Sequence, residues 1–363
     1  MDLSSSLLLR FPTTESAYTS LDVYQDTLGF VRYLQAGEYL TDLLVRTHGL
    51  PPRLARERCK EIRPHIEIAM SYLEQAHDGP EAVAFLPAYY AILNLLKVVI
   101  LIGPHGDDLR SNRWHGATYD VYGKDSHGLP TEVVTLKTGG ALPLYYKTIT
   151  GSALAKQRKV QMSDLLPFIS DIGAEYALAS GRPSDGVLPI SSSLKLVSQG
   201  SHTMRITLHC PDGFDCTRVT ALEAFPSFKK RVLATPQPIV AGMPNDIAFE
   251  RVIPLAPVGT NVYEAAAAGR RAYLLRHPFI GDGLQVGRLV PIPSKGQLPE
   301  EMVIALAFFH MSNVVRYKPD FLGRLRESRY WPVLHALKRH GLLNFLTLFW
   351  SIVHKKTLIL TKG

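Results

Sequence analysis

Between Gly103-Pro104 and Tyr119 the chain carries a polar loop with His105, Asp107, Asp108, Arg110, Arg113 and His115. Arg110 and His115 stand with four residues between them, in the run Arg-Ser-Asn-Arg-Trp-His. Those residue types suit metal-free cleavage of an RNA phosphodiester. That reaction needs a base for the 2′-hydroxyl, an acid for the leaving 5′-oxygen and positive charge at the crowded phosphate. Histidine titrates near neutral pH, and a guanidinium fork matches phosphate oxygens. Arg110 and His115 are therefore the candidate catalytic pair, and Arg113 is an alternative phosphate contact. Spacing alone discriminates poorly, because an interval of four to six residues also selects Arg58 with His65, Arg270 and Arg271 with His277, and Arg329 with His335. Position separates Arg110 and His115 from these, since their loop follows directly on the most apolar stretch. A histidine here can equally hold the loop through a backbone hydrogen bond, with Arg110 in solvent.

The elements that must position this loop are mostly helical. From Ala88 to Ile102 only Asn94 and Lys97 interrupt apolar side chains, so the spacing predicts an enclosed helix, begun at Pro87 and too short to span a bilayer. Asn94 and Lys97 read as paired structural groups or as substrate-binding residues facing the site; Tyr89 and Tyr90 read as core residues with bonded hydroxyls. Leu21 to Leu34 and Tyr39 to Leu44 predict a long or broken helix, and Leu54, Arg58, Ile62, Ile66, Met70 and Leu73 predict another, ended at Asp78-Gly79-Pro80. A small hairpin is expected over Asp120 to Lys147, and a helix over Leu165 to Tyr176. Near Gly186 helical spacing gives way to alternation, as in Met204, Ile206 and Leu208. Helices resume at Glu301 to Tyr317, Trp331 to His340 and Leu342 to His354. The expected fold class is α+β: a mainly helical bundle in residues 1–185 and 294–363, with a β-rich insertion in 186–293. The helix from Glu301 should pack back on the first-third bundle.

Tyr89-Tyr90-Ala91, Lys97, the apolar run and His115-Gly116 resemble the core of HEPN domains, here about residues 15–122. Tyr24 to Leu40, the Tyr89-Tyr90 helix, Leu165 to Tyr176 and Val315-Arg316-Tyr317-Lys318-Pro319 together resemble the YaaC-like family over most of the chain. The HEPN resemblance implies a metal-independent endoribonuclease of antiviral defence or stress response. It implies RNA as partner and a homodimer as the active form, because one Arg-His pair supplies too few groups. Arg316 sits where a helix C-terminus explains a cation, yet it belongs to the family resemblance and is a candidate to line the same cleft. The substrate-binding set is thus Arg113, Lys97, Asn94 and Arg316.

Charge and composition agree with an anionic partner. The 363 residues carry a formal charge of +8, with a sequence pI of about 9.3. No phosphate-loop, nucleophile-elbow or His-Glu-x-x-His motif is present, which removes those enzyme classes. Cys210 and Cys216 with His202 and His209 lack the usual zinc spacing, so no metal and no cofactor is expected. Three cysteines and an N-terminus without a secretory pattern point to the cytoplasm and no membrane role. The competing reading is a non-catalytic binding or scaffold subunit, with the β-rich part as the surface for a protein partner.

Overall fold

A computed structural model describes residues 14–119, 128–169, 172–181, 188–198, 201–208, 233–236, 247–254, 274–276, 287–289 and 298–362. His209, Cys210, Cys216, Arg270, Arg271 and His277 lie outside them. The chain divides into two units, one of Thr19–Ser180 and Leu298–Lys355, the other of Met1–Tyr18, Gly181–Gln297 and Lys356–Gly363.

Strand β1 (Thr14–Thr19) precedes helices α1 (Val23–Arg32) and α2 (Gly37–Arg46), which a 3-10 turn at Tyr33–Gln35 separates. Asp22 caps α1 by accepting the Gln25 amide hydrogen at 3.0 Å. The pair α3 (Pro52–Asp78) and α4 (Glu81–Ile102) forms the centre of the helical unit. Their contacts, His65 to Asn94 and Tyr72 to Tyr90, keep a nearly constant residue sum, so the two run antiparallel.

Helix α4 departs from expectation in its start and length. It begins at Glu81 with Pro87 inside it, and the amide that Pro87 lacks leaves one carbonyl without its helical donor, four residues back at Val83, whose side chain is 49% exposed. Its Ala82–Ile102 stretch is long and apolar enough to cross a membrane, so shortness is not what marks it as a core helix. Burial does: 78% of its most apolar window is covered by neighbours.

Next come β2 (Ala117–Tyr119), β3 (Val133–Leu136), α5 (Ala141–Thr150), β4 (Arg158–Gln161) and α6 (Gly173–Ser180). The three strands form an antiparallel sheet in the order β2-β3-β4. Residues 141–147, expected within a hairpin, instead belong to a helix, because Leu142, Leu144 and Tyr145 bury together against α4. The helix expected over Leu165 to Tyr176 is also corrected: Pro167 confines Leu166–Phe168 to a 3-10 turn, and α6 starts only at Gly173.

The other unit holds β5 (Leu188–Ser198), β6 (Ser201–Leu208), β7 (Leu233–Pro236), β8 (Ile247–Pro254), β9 (Leu274–Arg276) and β10 (Gly287–Leu289), antiparallel in the order β7-β8-β6-β5-β10-β9. The alternating run at Met204 to Leu208 lies in β6.

The chain re-enters the helical unit as α7 (Glu300–Tyr317), α8 (Pro319–Arg326), α9 (Trp331–Ala336) and α10 (Leu342–His354), then ends in β11 (Thr357–Lys362), which pairs with β1. Helix α7 packs along α4, as its apolar face predicts, through Phe308 on Phe85 and Phe309 on Tyr89. Phe85, Phe308 and Tyr89 are fully buried, each contributing about 1.5–3 kcal/mol of apolar burial. Buried His310 of α7 also reaches Glu132 Oε2 at 3.1 Å, tying α7 to the start of β3.

Candidate anion-binding active site

His115 is held by two sets of hydrogen bonds, one to the backbone of its loop and one to its ring. Gly116 and Gly140 have φ of +83° and +101°, and a Cβ on Gly140 would lie 2.5 Å from Gly116 Cα. This glycine crossing lets Ala141 N–H donate to the Trp114 carbonyl at 2.8 Å and Leu142 N–H to the His115 carbonyl at 3.1 Å. The otherwise unpaired amides at the start of α5 thereby anchor the loop. Asn112 adds a contact by accepting from Gly140 N–H at 3.0 Å.

The imidazole of His115 stacks on Tyr89 with ring centroids 5.4 Å apart, and its Nδ1 lies 2.6 Å from the Tyr89 hydroxyl. Tyr89 is fully buried and has no other hydrogen-bond partner among the described residues. Its proton must go to Nδ1 or remain unsatisfied, at a cost of roughly 1–3 kcal/mol, so Tyr89 donates and His115 carries its own proton on Nε2. Burial, together with Lys97 and Arg316, pushes the His115 pKa below the ordinary 6.5, which keeps the ring neutral. Burial and the neighbouring Tyr90 raise the Tyr89 phenol, against the opposing pull of Arg316, so Tyr89 keeps its proton.

Around this ring the charges are all of one sign. Lys97 is half-buried on α4 and has no hydrogen bond or ion pair among the described residues; burial, then Arg113, lowers its pKa. Arg113, on the exposed loop, also lacks a partner there. Arg316 of α7 donates to the Tyr90 hydroxyl at 3.4 Å, Asn313 Oδ1 at 3.2 Å and the Ser312 carbonyl at 3.2 Å, none of them charged. Asn94 Oδ1 accepts from His65 Nδ1 at 2.8 Å, and its Nδ2 donates to the Tyr90 carbonyl at 2.8 Å.

Arg110 lies elsewhere. It donates to Glu61 at 2.9 Å with its side chain 70% exposed, and no contact joins it to His115 among the described residues. Glu61 also pairs with buried Arg58, which pairs in turn with Asp107. Burial works to raise the Glu61 pKa, but the hydrogen bonds from Arg110 and Arg58 outweigh it and hold the carboxylate below its usual range. Asp108 faces His105 and Lys147. The loop thus has two electrostatic halves: residues 105–110 belong to a compensated ion-pair network, and residues 113–115 to an uncompensated positive one. His65 joins the second half and was singled out in the sequence only as one of several Arg-His matches. Its signal was a histidine flanking the apolar stripe of α3.

Among the described residues no group of three or more histidine, cysteine, aspartate and glutamate side chains could hold a metal ion. The family model described as YaaC-like Protein matches residues 32–352. This chain belongs to the YaaC-like family. The match takes in the whole cluster, from His65 on α3 to Arg316 on α7, so the positive half of the loop and the helices behind it are all within the family region. No curated protein and no solved structure matches the chain.

Proposed function

We propose that this YaaC-like protein is a metal-independent endoribonuclease built on a HEPN-like helical core, with the scissile phosphate bound among Lys97, Arg113, His115 and Arg316. The observation that supports this reading is Lys97: a half-buried ammonium without a carboxylate, near Arg113 and near a neutral histidine on which Arg316 also acts. Burying a cation without a counter-charge is costly, and a phosphate is an anion whose size and charge answer these three cations. His115 presents Nε2–H to a non-bridging phosphate oxygen. It stabilises the charge that grows on the phosphorane and takes no proton itself. Neutral imidazole acting as a hydrogen-bond donor is established chemistry for oxyanions. Arg110, held by Glu61, serves the loop and not the phosphate.

The deciding experiment is cleavage of labelled single-stranded RNA by purified wild type and His115→Ala with chelator present. Wild type should cut, leaving a 2′,3′-cyclic phosphate on the 5′ fragment, and DNA of the same sequence should survive. His115→Ala should lose about 10²- to 10³-fold in kcat, the effect of removing one oxyanion donor. A folded wild type that cuts no RNA overturns the nuclease reading in favour of a non-catalytic binding role. Equal cutting by both proteins moves the activity to another site.

A further inference from the structure

The side-chain amide of Asn94 fixes the tautomer of His65. Asn94 Nδ2 donates to the Tyr90 carbonyl at 2.8 Å, and a carbonyl only accepts, so Oδ1 is the end turned to His65. His65 Nδ1 lies 2.8 Å from that oxygen and must carry the ring proton. Its Nε2 is then a bare lone pair, with no partner among the described residues. His115 is wired the opposite way, with Nε2 protonated because Tyr89 donates to Nδ1. The site therefore contains one histidine acceptor and one histidine donor. Tyr90, Asn94 and Lys97 follow one another at four and three residues on α4, which puts them on one helix face. The Tyr90 and His115 rings lie with centroids 6.1 Å apart, Asn94 holds His65, and Lys97 stands one turn further along the same face. Burial and the Lys97 charge act on both rings to keep them neutral.

Resting on the endoribonuclease reading above, we infer that His65 is the general base of the reaction and Lys97 the proton donor to its leaving group. His65 Nε2 takes the 2′-hydroxyl proton as the 2′-oxygen forms its bond to phosphorus. The bond from phosphorus to the 5′-oxygen breaks, and the Lys97 ammonium gives that oxygen a proton. The products are a 2′,3′-cyclic phosphodiester and a 5′-hydroxyl. His65 ends as imidazolium and Lys97 as amine, so protons and charge balance, and exchange with solvent resets both.

The test uses the full chain on RNA with an ordinary 5′-oxygen and on RNA with sulfur at that bridging position, a leaving group that needs no proton. His65→Ala should lose about 10²- to 10⁴-fold in kcat on both substrates, with KM little changed. Lys97→Met should lose a similar factor on the oxygen substrate and regain at least about tenfold on the sulfur one. A His65→Ala enzyme within about threefold of wild type removes His65 as base while leaving the nuclease reading intact. A Lys97→Met enzyme that sulfur does not rescue removes Lys97 as donor. A wild type inactive on both substrates ends both readings. Long-range proton–nitrogen NMR on histidine-labelled wild type needs no variant: it should show neutral His65 with its proton on Nδ1 and neutral His115 with its proton on Nε2. The reverse tautomer at His65 overturns the assignment even if the substitution unfolds the protein.

Discussion

A lysine placed among apolar side chains gives up hydration, and without a carboxylate it recovers little of that loss. Lys97 is in this position, and the effect passes to its neighbours. Burial lowers the His65 pKa, the Asn94 hydrogen bond opposes that, and the positive charges of Lys97 and Arg113 lower it further. His65 should accordingly titrate below 6.5 when followed by NMR in the wild type. Replacing Lys97 with methionine removes one of the two cations that disfavour the imidazolium, so the titration should move up toward 6.5. A midpoint that stays put or falls in Lys97→Met would show that Lys97 does not act on this ring. Arg110 offers the contrasting case: Arg110→Ala breaks an exposed pair with Glu61, and such pairs are worth about 0–1 kcal/mol. Cleavage by Arg110→Ala should stay within a few-fold of wild type, and a loss as large as that of His115→Ala would return Arg110 to the phosphate.

Element-scale positioning depends on the crossing of the His115 loop with the start of α5. Gly140 and Gly151 both have positive φ, +101° and +74°, but only at Gly140 would a Cβ meet backbone, while around Gly151 nothing lies within 4 Å. Gly151→Ala should therefore show the left-handed penalty alone, about 1 kcal/mol. Gly140→Ala must in addition push Gly116 away, and should lose more, about 1–3 kcal/mol beyond that, in urea denaturation. It should also lower cleavage in the fraction that remains folded, since the His115 carbonyl would leave the α5 amides. Equal destabilisation by the two substitutions would mean the crossing is looser than described.

For the whole molecule, the histidines of the helical unit set an acid limit on stability. Burial lowers the pKa of His48, His65, His115 and His310, with Glu132 opposing at His310 and the Val353 carbonyl opposing at His48. In the unfolded chain each titrates near 6.5. Below that pH the unfolded state binds protons that the folded state does not, so stability is full above about 6.5 and falls as pH drops toward the lowered values. Urea midpoints should decrease steadily from about pH 7.5 to about pH 5. A midpoint that is flat, or that rises with acid, would contradict neutral burial of these rings. Glu61 adds a separate loss below the ordinary carboxylate value of 4.5, since its folded pKa is lowered.

What the sequence determined by itself was local. Periodicity at three and four residues marked α3, α7 and α10, and alternation marked β6, because an apolar stripe or an alternating face is written into neighbouring residues. It also marked Lys97 and Asn94 as polar residues out of keeping with an apolar helix, and His115 by its place in the polar loop that follows. Helix α5 was missed because its buried residues, Ala141 to Tyr145, are consecutive and show no spacing of three and four, and Gly140 just before it is the crossing that seats His115. The partners were decided by tertiary structure alone. Arg110 and Glu61 are 49 residues apart, His65 and Asn94 29, Tyr90 and Arg316 226. No local pattern states which cation meets a carboxylate and which is left without one, since that follows from the register of α3 on α4 and of α7 on α4. The same packing decides the tautomers: a buried phenol with one partner must donate to it, and an amide fixed by a carbonyl must accept, and both constraints exist only once the helices are side by side.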